Sequence, residues 1–99
     1  YNFHYRILYI KFWIMKNYFD NIEQKLRKNI NFEKIEIIDN SHKHKGHKSF
    51  SSTKLHLALN IKSNYLVSLS KLDAHKLIMK VLEDELKTKI HALEIKIYS

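Results

Sequence analysis

Residues 55–61 alternate without a break: Leu55, Leu57, Leu59 and Ile61 stand against His56, Ala58 and Asn60. A period of two sends successive side chains to opposite faces, so this stretch predicts a strand with one face in a core. The same period appears in Ile35 and Ile37 around Glu36, predicting a strand over 34–38. It appears again in Leu93, Ile95 and Ile97 against Glu94, Lys96 and Tyr98, predicting a last strand over 92–98. Elsewhere the spacing changes to three and four. Ile22, Leu26 and Ile30 form one apolar stripe and predict a helix over 20–30, opened by a capping-box pair, Asp20 and Glu23. Leu77 or Ile78, Val81, Leu82, Glu85 and Leu86 predict the main helix over 72–86, with Lys80, Glu83 and Asp84 outside the stripe. Tyr65, Leu66, Val67 and Leu69 suggest a short turn-like helix or an irregular connector. No internal repeat is visible.

The order is α-β-β-(short α)-α-β. The first two strands, joined by a long loop, are expected to pair antiparallel. The third arrives after a long helix, as a crossover onto the same sheet requires. The expected fold class is α+β: one domain over 20–99, a three-stranded mixed sheet with helices packed on one face.

Residues 1–19 differ from the rest. Phe3, Tyr5, Ile7, Leu8, Tyr9, Ile10, Phe12, Trp13 and Ile14 crowd together, the charges are Arg6, Lys11 and Lys16, and no acid precedes Asp20. Two readings stand side by side. The segment is a transit-like or disordered extension, or read-through upstream of an initiator at Met15; or it is an amphipathic extension of the first helix. The first reading expects a mitochondrial or other organelle location, and a cytoplasmic one otherwise. Residues 1–16 are then expected to be loosely attached.

At 99 residues the chain is one domain with a modest core. No apolar run reaches the roughly 18–20 residues of a membrane span, and no membrane partner is expected. A formal net charge of +8 favours acidic surfaces, although a Lys-, Ile- and Asn-rich composition also produces it. Cysteine is absent, which excludes disulfides, a thiol nucleophile and an all-thiolate metal site. Ser63, Ser68 and Ser70 lack a nucleophile-elbow setting, Glu83, Asp84 and Glu85 read as a solvated helix face, and no glycine-rich phosphate loop exists. An enzyme is not expected.

The densest chemistry lies in the polar loop between the first two strands. His42, His44 and His47, three of seven histidines, stand there with the one glycine, Gly46. Neutral imidazole is a borderline-soft ligand for iron, zinc or copper. His91, just before the last predicted strand, completes the candidate set. For each the bland reading is a solvated loop histidine or, for His91, a cap on a helix C-terminus. His56 reads as a structural or surface histidine, His75 as part of a helix face, and His4 carries no inference.

The chain resembles the BolA family over about residues 21–99. The likeness rests on an ordered set: Glu23-Gln24-Lys25-Leu26-Arg27 in the first helix; Asp39-Asn40-Ser41-His42-Lys43-His44, similar to the family's acid–x–Ser–x–x–His; and His56 opening the second strand. Leu72-Asp73-Ala74-His75-Lys76 is similar to its Arg-His-Arg signature. Leu82-Glu83-Asp84-Glu85-Leu86 and Ile90-His91-Ala92-Leu93 look like its Leu-Ala-Glu-Glu-Leu and Val-His-Ala-Leu. Ala74 and Lys76 replace the two arginines, which removes any bidentate fork, and a residue near Ser68 replaces a glycine. The resemblance implies a KH-like fold of the second type, αββααβ. It also implies a non-enzymatic adaptor, monomeric alone, that pairs with a monothiol glutaredoxin. The two would share a [2Fe–2S] cluster held also by glutathione, in iron–sulfur cluster assembly, trafficking or iron regulation. Carried onto this chain, the metal ligands are His44 and His91, with His47 and then His42 as alternative loop ligands; no cofactor is expected on the isolated protein.

The alternative is a DNA-binding transcriptional regulator using the basic surface of Lys71, His75, Lys76 and Lys80. A chain with Gly46 alone cannot form the Gly-x-x-Gly clamp of ordinary KH domains.

Overall fold

The structure is a computed structural model that describes residues 3–41 and 55–99, with α1 side chains described at residue 10 and from residue 13 onward. The elements in order are α1 (Phe3–Asn29), β1 (Lys34–Asp39), β2 (Leu55–Lys62), α2 (Asn64–Ser68), α3 (Lys71–Val81), α4 (Glu83–Thr88) and β3 (Ile90–Tyr98). The architecture is α+β.

The first helix does not begin at Asp20. It runs from Phe3 through that position, so Asp20 and Glu23 lie inside it and cap nothing. The chain has no proline and its glycine is far away, so no residue here interrupts helical backbone. The boundary expected between residues 19 and 20 therefore falls within a continuous helix. The predicted apolar stripe holds: Ile22, Leu26 and, just past the helix, Ile30 are buried. Arg27 and Lys28 in the last turn suit the negative end of the helix dipole. The Arg27 guanidinium also lies 4.5 Å from the centroid of the buried Phe32 ring.

The sheet has the order β1-β2-β3. β1 and β2 are antiparallel, with Ile35 opposite Ile61 and Ile37 opposite Leu59. β2 and β3 are parallel, with Leu59 opposite Ile95. The inward residues of all three strands meet the helices, and Leu57, Leu59 and Ile61 on the central strand are the most deeply covered.

Two serines cap the short crossover helices. Ser63 is fully buried; its Oγ accepts from the Leu66 amide at 3.0 Å and donates to the Asn31 carbonyl at 2.8 Å. Ser70 Oγ accepts from the Asp73 amide at 3.1 Å. Each satisfies a helix N–H that has no partner within its own helix.

The single main helix expected over 72–86 is two. The backbone departs from helical values at Leu82, φ −96° and ψ 20°, separating α3 from α4. The three-and-four spacing continues through the break, with Ile78 and Leu82 buried and Leu86 packed against the core. That is why the sequence reads as one helix. Lys25 Nζ reaches both oxygens of Glu85 at 3.0 and 3.1 Å and ties α1 to α4.

Candidate metal-ligating site

His91 does not precede the last strand. β3 begins at Ile90, so His91 lies inside it. Its position follows from the pairing with β2: Leu55 is opposite Ile90, but His56 is opposite Ala92. One residue of β3 is passed over, and that residue is His91. A bulge of this kind leaves its extra residue unpaired and re-aims its side chain. The His91 side chain is exposed, and Ile90 beside it is buried, anchoring the strand start in the core. His91 stands two residues beyond Lys89, the C-terminal cap residue of α4.

The neighbour of His91 is His56. The ring centroids are 5.2 Å apart and the planes are inclined by 55°. From the sequence His56 reads as a surface or structural residue. Its alternation with Leu55 and Leu57 did carry the signal, because it put His56 on the face of the sheet away from the helices. What was missing was the partner strand.

The backbone around this pair also forms the mouth of the histidine loop. Asp39 Oδ1 accepts from the Ser41 amide at 2.9 Å, an Asx-type turn. Ser41 Oγ then accepts from the His56 amide at 3.0 Å, and the Asn40 amide donates to the His56 carbonyl at 2.7 Å. On the return side the Leu55 amide donates to the Lys89 carbonyl at 2.8 Å. The loop thus leaves and re-enters the fold beside His56 and His91. His42, His44 and His47 lie outside the described residues.

Among the described residues, no three His, Asp or Glu side chains gather into a metal-holding group. A hollow of about 500 Å³ on the open sheet face is lined in part by Asn40, Ala58, Asn60, Glu94 and Lys96, and neither histidine of the pair lines it.

The candidate nucleic-acid residues do not form one patch. Lys71 and His75 line a groove of about 390 Å³ between α2, α3 and β3, together with Lys96. Lys80 lines a different hollow, toward α1, with Lys25, Glu83 and Asp84. Lys76 is exposed on α3.

Comparison with known proteins matches these features to one family. A protein from Sinorhizobium sp., described as an uncharacterized protein in the cobS 5'region, is 33% identical over 78 residues, covering 77% of this chain and 84% of that one. The SufE-like protein 1, chloroplastic/mitochondrial, of Arabidopsis thaliana is 34% identical over 79 residues; the match covers 75% of this chain but 21% of that longer protein. The solved BolA domain of SufE1 from Arabidopsis thaliana superimposes with a TM-score of 0.66 at 35% identity, covering 79% of this chain and 86% of that one. The BolA domain is therefore also present within a SufE-like protein. The sequence profile of the family described as BolA-like protein matches residues 26–99. That span takes in both strands of the histidine pair, the loop between β1 and β2, and the whole sheet: the chain belongs to the BolA-like protein family.

Proposed function

We infer that this BolA-like protein is a non-enzymatic adaptor that pairs with a monothiol glutaredoxin. Together with glutathione the two share a [2Fe–2S] cluster, in cluster assembly and trafficking or in iron regulation. The fold is read here as KH-like of the second type, with α3 and α4 standing for its one long helix. The observation that carries the functional reading is the bulge that holds the His91 imidazole out of the sheet at the mouth of the histidine loop.

The donor chemistry fits such a group on one side. His91 is exposed, and His44 is the loop histidine that would join it; His47 and then His42 are the alternatives. The chain has no cysteine, so sulfur ligands come from the glutaredoxin and glutathione. His44 and His91 together on one iron would supply nitrogen ligands, which would raise the cluster's reduction potential relative to an all-thiolate cluster. This chain's own residues do the positioning. Asp39 and Ser41 fix the departure of the loop, His56 packs against the His91 ring, and the buried Ile90 holds the bulge in register.

Mixing the protein with a cluster-loaded monothiol glutaredoxin and recording the visible spectrum tests the reading. A new spectrum is expected, altered by His91→Ala and by His44→Ala. A spectrum indifferent to both substitutions removes the ligand assignment. A second reading, DNA binding, has the Lys71, His75 and Lys96 groove behind it. It predicts salt-sensitive affinity, falling by orders of magnitude from low to physiological salt if ~6 or more phosphates are contacted.

A further inference from the structure

The N-terminal half of α1 is an arm. The helix has 27 residues and so spans about 40 Å, whereas the shorter extents of the molecule are 31 and 22 Å. Among the described side chains of α1, Tyr18 and Phe19 are the first that pack against the core. Upstream, Ile10 is 53% exposed, Trp13 58% and Ile14 53%. Their spacing of three and four puts them on one helix face. A face of two isoleucines and a tryptophan is costly to leave in water.

Charge narrows what covers it. From residue 1 to residue 19 the sequence carries Arg6, Lys11 and Lys16 and no Asp or Glu. A second copy of the arm would bring like charges together. A nucleic acid would engage the cations but leave Ile10 and Ile14 in water. An anionic lipid surface suits both properties, because its headgroups attract the basic residues and its acyl boundary accepts the apolar ones. Tyr5, Tyr9 and Trp13 add aromatic residues with a polar tip, the type that concentrates at bilayer interfaces.

We propose that the N-terminal half of α1 docks in the plane of an anionic membrane surface through Ile10, Trp13 and Ile14. The expectation of no membrane partner rested on the lack of a spanning run, and a helix lying in the interface needs none. The site is separate from the histidine pair, and the proposal stands whether or not a cluster binds there.

Trp13 is the only tryptophan of the chain, so its emission reports on the arm directly. The full chain is titrated with vesicles of phosphatidylcholine alone and with vesicles also containing phosphatidylserine. The expected result is a blue shift and co-sedimentation with the anionic vesicles, with about a hundred-fold preference over the neutral ones from three basic residues. Ile10→Ser with Ile14→Ser keeps the reporter and should weaken binding about tenfold or more, with the circular dichroism of the fold unchanged. Lys11→Glu with Lys16→Glu should abolish the preference for anionic lipid while leaving the apolar face intact. Four outcomes would overturn the proposal. They are unchanged Trp13 emission with both vesicles, equal binding to neutral and anionic vesicles, and an emission shift produced by self-association without lipid. The fourth is a shift produced by DNA but not by lipid.

Discussion

The two faces of the sheet differ in what they hold and what it costs to change them. The covered face carries Leu57, Leu59 and Ile61 against α1 and the crossover helices, and it is closed to water. The open face carries His56 with the bulged His91, the anchored loop mouth and a shallow hollow. The buried core lies on the first, and the proposed site lies on the second. A residue can therefore be decisive for binding on the open face while contributing little to folding.

The largest expected effect lies on the covered face. Leu59 is fully buried on the central strand, and Leu59→Ala should cost about 2–5 kcal/mol by denaturant unfolding. A loss under about 1 kcal/mol would break the comparison, because it would mean that this face is not close-packed.

Ser41→Ala tests the join between the faces. It removes the hydroxyl that accepts from the His56 amide, and the expected cost is about 1 kcal/mol. It should also lower the yield of the mixed cluster, since the loop mouth is no longer fixed beside His91. An unchanged yield would show that the anchor is not needed for the site.

Tyr18 sharpens the contrast through pH. Its hydroxyl is buried without a hydrogen-bond partner among the described residues. Burial, and then the nearby Glu85 carboxylate, raise its pKa above the ordinary 10.0. The unfolded chain therefore ionises this phenol at lower pH than the folded one. The contribution of Tyr18 is intact below about pH 10 and is lost as the pH rises from there through the folded value. Tyr18→Phe should be neutral or slightly stabilising at pH 7 and should flatten the stability loss above pH 10. An identical alkaline slope in the variant would contradict this.

The smallest stability effects belong to the histidines. His91 is exposed, so His91→Ala should move stability by about 0.5 kcal/mol or less in either direction while changing the visible spectrum of the glutaredoxin mixture. His44→Ala should behave likewise. His42→Ala, last in the ligand ranking, should leave both stability and spectrum nearly as they were. Large destabilisation by His91→Ala would erase the distinction between the faces.

The strands were legible because their signal is local. Alternation in a single segment, such as Leu55 to Ile61, already states which face is covered, and the parallel β2–β3 pairing follows from the helices between them. The apolar stripe of Ile22, Leu26 and Ile30 was equally plain, but it marked only the buried half of α1. Upstream, Ile10, Trp13 and Ile14 are exposed, so periodicity keyed to burial gave that half no boundary. The break at Leu82 was hidden for the opposite reason: the apolar spacing runs through it unchanged.

By itself the sequence determined the order of the three strands along the chain, the inward residues of each strand, the absence of thiolates and the crowd of imidazoles in one loop. Only the tertiary structure decided that His91 is the residue passed over in β3, that His56 is its ring neighbour and that the loop is pinned beside both. The physical reason is that a bulge belongs to a pair of strands. Neither strand's own alternation reveals which residue goes unpaired until the buried Ile90 and the ladder beyond Ala92 fix the register between them.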